Sequence, residues 1–363
     1  MTLSRRVLLG TVAAASVLPA SRGRAQQAPI RIGVLNDQSG LYRDFGGPTS
    51  VLAARMAAED FGGSVLGHPI EVTDVDHQNK PDLASAIARG WFDRQGVTAI
   101  ADLTNSAVSL AVQQLARDRG KITLLTGPAT TKLTNEECSP TGFHWVFDTY
   151  SQATGTAKAM LAEGGKTWFL VVADYAFGHQ MAHDLRAVIS AGGGQVVGEV
   201  LHPLSTPDFA SYLLQAQASK AQVIGLANGG DDTTNAVKQA AEFGITRGGQ
   251  KLAGLVIVIS IVHGLGLEIA RGLVFTESFY WDMNEATRAW SKPLLRTGGT
   301  HARHGAGRDI FFGHALSEVD AGGRDHRGCS GCSADARPAG GRLLCQGPGA
   351  RGRPPAKISF WRR

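Results

Sequence analysis

The chain has 363 residues, enough for two domains that each bury a core, and a formal net charge of +5. That charge belongs to the ends: residues 1–25 hold four Arg and no acid, residues 298–363 hold eleven Lys/Arg against five Asp/Glu, and residues 26–297 are left near −5. The basic pI therefore gives no support to a nucleic-acid-binding body, and Cys138, the one cysteine of that body, excludes an internal disulfide framework.

The N-terminus reads "MTLSRRVLLGTVAAASVLPASRGRAQQ". Arg5 and Arg6 precede an apolar run from Val7 to Leu18, and Gly23 and Ala25 stand at small-residue cleavage positions. This is an export signal over residues 1–25, cut after Ala25, and Ser4-Arg5-Arg6 before Val7-Leu8-Leu9 is similar to the twin-arginine type. The apolar run is too short to span a bilayer. The expected location is the periplasm.

From Ile30 the chain alternates short apolar runs with helical periodicity. The strand "IRIGVLN" is followed by the helix "SVLAARMAAEDFG", the strand "PIEVTDVD" and the helix "DLASAIARGWFDRQG". Next come "VTAIADL", the helix "SAVSLAVQQLARDRG" and "ITLLTG". A second series begins after "FHWVFDTY": helix "QATGTAKAMLAEGG", strand "TWFLVVA", helix "GHQMAHDLRAVISAGG", strand "QVVGEV" and helix "DFASYLLQAQASK". Strand "AQVIGLA" and helix "TTNAVKQAAEFG" follow, and "KLAGLVIVIS" and "GLVFTESFY" read as further strands. The pattern predicts an α/β fold of two lobes, each a parallel sheet with helices on both faces. The chain would cross near Asp148 and Phe275, so that 26–148 plus 275–297 form lobe 1 and 149–274 form lobe 2.

Polar residues gather where strands end and helices begin: 37–40, 104–106, 126–131, 174–178 and 228–232. Ligands of open parallel sheets bind beyond the carboxyl ends of the strands, where helix N-terminal amides favour anionic groups. Any one of these loops is as well explained by helix caps and turns. Five of them at matching points predict a cleft between the lobes.

With these residues in view, "IRIGVLNDQSGLYRDFGG", "VLGHPIEVTDVDHQNKPD", "LLTGPATTKLT" and "VVADYAFGH" resemble the branched-chain amino-acid-binding family of ABC-transporter solute receptors, over about residues 28–295. The resemblance implies a type I periplasmic binding fold, three crossovers, and hinge closure on a small polar solute without catalysis or cofactor. It also implies ABC permease subunits in the inner membrane as partners and a monomeric receptor. Matching residues make Asn105 and Ser106 in "LTNSAVS", and Ala129 and Thr130 in "GPATT", ligand candidates. From lobe 2 come Asp174 and Tyr175 of "ADYAFG" and Asp231 or Asp232 of "NGGDD" as a counter-charge to a ligand ammonium, with Phe45 covering from lobe 1.

The loop after "LVIVIS" departs from the family. It reads Ile261-Val262-His263 where a polar or acidic contact is usual, so an amide, a urea-like compound or a carboxylate competes with an amino acid as solute. A receptor reporting to a sensor kinase is the alternative binder. A cleft hydrolase using His77 beside Asp76, or His179 near Asp174, is the enzyme alternative. Against an enzyme stands the lack of G-x-G-x-x-G after the first strand, of a Walker loop, of G-x-S-x-G and of H-E-x-x-H.

Residues 298–363 lose all periodicity. His326, Cys329, Cys332 and Cys345 are chemically able to hold zinc, but their spacing matches no common structural finger. Arginine is plentiful, yet aromatics for stacking on nucleic acid are few. The third reading is a shifted frame. With suitable synonymous codons, "DIFFGHALSEVD" read one base later gives "TYSSVTHYLKS", and the same operation from Thr300 to Arg353 yields text like the missing end of the family. An out-of-frame, disordered tail and an incomplete lobe 1 are the expectation, with impaired binding as its consequence.

Overall fold

The computed structural model describes residues 27–279 and 281–297. In the first half β1 (Ile30–Asn36) is followed by α1 (Gly47–Asp60), a short β2 (Ser64–Val65), β3 (His68–Asp76), α2 (Pro81–Arg94) and β4 (Val97–Asp102). Then come α3 (Ser106–Asp118), β5 (Ile122–Leu125), a 3-10 turn (Thr131–Thr134) and β6 (Gly142–His144). The second half runs α4 (Thr149–Ala162), β7 (Thr167–Ala173), α5 (Ala176–Ala191), β8 (Gln195–His202), α6 (Ala210–Ala218), β9 (Val223–Ala227), α7 (Gly230–Glu242), β10 (Lys251–Gly254), α8 (Ile259–Leu265) and α9 (Glu285–Thr297).

Two sheets result, of order β2-β3-β1-β4-β5-β6 and β10-β9-β7-β8. All pairs are parallel except the β2–β3 hairpin, which no pattern in the sequence had flagged. In each sheet the first strand of its series lies inside. The chain goes from β1 out to β3 and returns on the other side as β4, and from β7 out to β8 and returns as β9. Each sheet thus has one switch point, β1/β4 and β7/β9, where a crevice opens at the carboxyl ends.

Local chemistry explains the helix starts. Proline stands in the first turn of α1 and α2, where its missing N–H is harmless. The Asn105 side chain accepts from the Ala107 and Val108 amides at the start of α3. Asp148 and Ser151 form a reciprocal capping box on α4. Asp231 and Asp232 stand in the first turn of α7, where the helix dipole favours acids.

The first sheet is covered unequally. On one face, α2 and α3 bring Ala88, Trp91, Phe92, Val108 and Val112 against Leu35, Ile100 and Leu125. On the other, among the described residues, the apolar cluster takes its helix members, Val51 and Ala54, from α1, while Ile70, Val72, Ile122 and Phe143 are partly buried. The cluster around the second sheet is larger, and it includes Leu41, Tyr42, Phe45 and Ala129 from the first half of the chain.

Two expectations are corrected here. The run "KLAGLVIVIS" is strand only to Gly254, because Ile257 folds back over Gly254 and the chain then enters α8. Val256, Ile257 and Val258 are buried all the same. The run "GLVFTESFY" keeps a single bridge, Ala253 to Val274, before Thr276 bonds Thr156 of α4 at 3.0 Å. Helix α9 had not been read from the sequence. The signal segment, the candidate zinc residues and the shifted-frame segment lie outside the described residues. Within the described residues no helix is long and apolar enough to cross a membrane.

Candidate functional site at the facing switch points

At the first switch point β4 ends in two residues in the left-handed region, Asp102 (φ 73°) and Leu103 (φ 58°). Non-glycine residues hold that conformation at a cost. Here it is held by burial of Leu103 in the core and by Asn36, which donates to Asp102 at 2.9 Å. The turn delivers Thr104 and Asn105 to the sheet end, and Thr104 donates to Asp102 at 3.3 Å. The β5 loop lies against it. A Cβ on Gly127 would strike Asp102 and the Thr104 backbone, so only glycine lets Pro128 to Thr130 come this close.

Asp37, fully buried at the end of β1, organises the loop that follows. It accepts the Gly40 amide at 2.8 Å, the Tyr42 amide at 2.7 Å and the Asn79 side chain, while Asn79 accepts from Asn105 at 3.3 Å. This network joins the ends of β1, β3 and β4 and aims residues 41–45 at the other sheet.

The second switch point meets that loop. The Tyr42 and Tyr175 hydroxyls are 2.6 Å apart. Arg43 Nη1 donates to Asp231 Oδ2 at 2.6 Å and Nη2 to Oδ1 at 3.2 Å. The Asp231 amide donates to the Leu41 carbonyl at 3.3 Å. Phe45 is buried, edge-on to Tyr42 with ring centres 6.0 Å apart. Residues 41–45 form a strap across the mouth between the sheets.

Of the residues expected at the site, Phe45, Asn105, Ser106, Ala129 and Thr130 are buried at the end of the first sheet. Asn105 spends its carbonyl on the α3 cap, and Thr130 accepts from the Lys132 amide at 3.4 Å. Tyr175 meets the strap. Asp174 is exposed and bonds His179 at 2.9 Å on the open surface. Asp231 is occupied by Arg43. Asp232 is turned inward and accepts the Ser205 and Thr206 amides at 3.2 and 2.8 Å, and burial pushes its carboxyl up to about 7. His263 is exposed in the last turn of α8.

Tyr42, Arg43, Asp37 and Asn79 had not been singled out. The signal available for the first two was an aromatic–arginine pair in a loop just after Gly40.

A buried polar relay stands behind the site. Thr149, at the start of α4, donates to Asp184 of α5 at 2.6 Å, and Thr131 does so at 3.4 Å. The Thr149 amide reaches the Ala129 carbonyl at 2.7 Å. The first-sheet loop, the crossover and a second-sheet helix are thereby tied at one carboxylate.

Three comparisons bear on this geometry. The family model described as periplasmic binding protein matches residues 29–306. A crystal structure of a periplasmic binding protein from Burkholderia mallei is 45% identical, with a TM-score of 0.77, covering 81% of this chain and 79% of that one. A branched chain amino acid ABC transporter periplasmic ligand-binding protein from Burkholderia xenovorans LB400 is 40% identical over the same shares, with a TM-score of 0.68. Among curated proteins, the Leu/Ile/Val-binding protein homolog 6 of Brucella melitensis is 26% identical over 226 residues, which is 61% of this chain and 57% of the relative. The chain thus spans little more than half the length of that curated relative. The paired doubly wound sheets have the type I periplasmic binding fold, and the chain belongs to the periplasmic binding protein family.

Proposed function

We propose that this chain is the extracytoplasmic solute receptor of an ABC importer. On this reading it is exported to the periplasm and traps a small polar solute between two lobes, 26–148 plus 275–297 and 149–274. It then presents the closed form to permease subunits in the inner membrane. The observation that carries the reading is the meeting of the two switch points, where a loop of the first sheet bonds Tyr175 and Asp231 of the second. A crevice built this way closes over a ligand by moving two rigid bodies, and a ligand with contacts on both sides favours the closed arrangement by its differential affinity.

Phe45, Asn105, Ser106, Ala129, Thr130 and Tyr175 are proposed as the lining. Asp174, Asp231 and Asp232 contribute at its rim and behind it. Catalysis by His77 finds little support in its setting: it is fully buried, its Nδ1 accepts the Asn79 amide at 3.0 Å, and burial lowers its pKa to about 4. The test is a thermal-shift screen of the full chain with amino acids, amides, urea and aromatic acids. A true ligand at a hundredfold excess over its Kd adds about 2.7 kcal/mol to stability. If no small solute raises the melting temperature of either the full chain or its frame-restored version, the receptor reading fails.

A further inference from the structure

The carboxylates at the strand ends are consistently engaged by donors of this chain. Asp37 accepts from the Gly40 and Tyr42 amides, one on each oxygen. Asp76 accepts from Ser39 at 2.6 Å and from the Gln78 amide at 2.7 Å. Asp102 accepts from Asn36 on one oxygen and Thr104 on the other. Asp232 holds the Ser205 and Thr206 amides, again one on each oxygen. Asp174 is out on the surface with His179.

Asp231 completes the set, and its partner is a cation. The Arg43 guanidinium takes both of its oxygens in a forked pair, the geometry that carboxylate and guanidinium match best. The two residues lie 188 positions apart and on opposite sides of the crevice, so the pair forms only when the sheets come together. An ammonium group brought to that closed rim would have to displace Arg43 from Asp231 or do without this counter-charge. A carboxylate or carboxamide meets no such obstacle, since hydroxyls and the amides of helix N-termini suit it.

We propose that Arg43 is a specificity-determining residue that occupies Asp231 in the closed form, so that this receptor selects an acid or amide lacking an amino group beside it. The inference rests on the receptor reading above and narrows it to one solute class.

The experiment is calorimetric titration of the full chain with matched pairs: leucine and 4-methylpentanoate, phenylalanine and 3-phenylpropanoate, asparagine and succinamate. The wild type is expected to bind the member without the amino group about two- to fivefold more tightly in whichever pair binds, the range a half-exposed ion pair supports. Arg43→Gln should bring that preference close to parity by releasing Asp231, and adding Asp231→Asn should bring it back. Arg43 is a half-exposed surface residue, so the variant should melt as the wild type does, which a thermal scan verifies. Tighter or equal binding of the amino acids by the wild type overturns the inference and leaves the receptor reading intact. An unchanged preference in Arg43→Gln overturns the assignment to Arg43. Absence of binding by every member of every pair overturns the inference, and the receptor reading falls with it only if the thermal-shift screen also finds no ligand.

Discussion

Gly230 sits in the left-handed region at φ 62°, and a Cβ there would run into the Leu41 carbonyl. Both the backbone conformation and the close approach of the strap need glycine. Gly230→Ala should therefore cost on the order of 1–3 kcal/mol in denaturant unfolding and weaken the docking of residues 41–45. His77 makes a second prediction at this scale. Its Nδ1 accepts a hydrogen bond, so the neutral ring carries its proton on Nε2, and burial lowers the pKa from 6.5 to about 4 against the pull of Asp37 and Asp76. The unfolded chain then takes up the proton first. The stability contributed by the neutral ring is complete above the unfolded pKa and is lost as pH falls from about 6.5 towards 4, by about 3 kcal/mol in all. Urea unfolding across that range should show the loss, and His77→Gln should flatten that part of the profile.

In the proposed closure the strap is the element that bridges the two sheets. Its ion pair is about 40% exposed on both sides, 42% for Arg43 and 41% for Asp231, so it is worth only about 0.2–1 kcal/mol and weakens with salt. Arg43→Glu should shift the ligand-free protein towards more open forms, seen as a larger radius of gyration in small-angle scattering. Combining it with Asp231→Arg should reverse the change. An unchanged radius in both variants would remove the strap from the account of closure.

Most elements from β1 to α7 were legible, β2 and β6 excepted, because runs of strand or helix length bounded by turn residues mark themselves on the chain. The run after β10 was not: Leu255 to Val258 are buried on every side, and a stretch without an exposed face has no period to read. Asp231 and Asp232 could not be told apart for a related reason. Neighbours on a helix point about 100° apart, so one faced Arg43 and the other the Ser205–Thr206 loop, and that rotation depends on packing far away in sequence. The Asn105 and Ala129 turns were visible through family likeness, whereas of the strap, whose meaning lies in a partner half a chain away, Phe45 alone was.

For the whole molecule the uneven cover of the first sheet matters most. One face is closed by α2 and α3; on the other, among the described residues, the helix members of the apolar cluster come from α1, and Ile70, Val72, Ile122 and Phe143 are part-wet. That is the face where further helices would be most effective, and it fits the proposal that residues 298–363 are read out of frame. Patches of apolar surface invite association, and a fold has only about 5–15 kcal/mol of stability to lose. A frame-restored chain should melt at a clearly higher temperature than residues 26–363 as written. Equal cooperative melting would show that the first sheet is already complete.

The aromatic rings of the strap have a consequence for transport. Tyr42 and Phe45 belong to the apolar cluster of the sheet they reach across to, so parting the sheets wets them. On the receptor reading proposed above, the cost of hydrating those rings pulls an empty receptor shut, and empty shut receptors would be decoys for any membrane machine that recognises shape alone. Cargo must then announce itself through something finer than closure, such as the set of the two tyrosine hydroxyls at the rim.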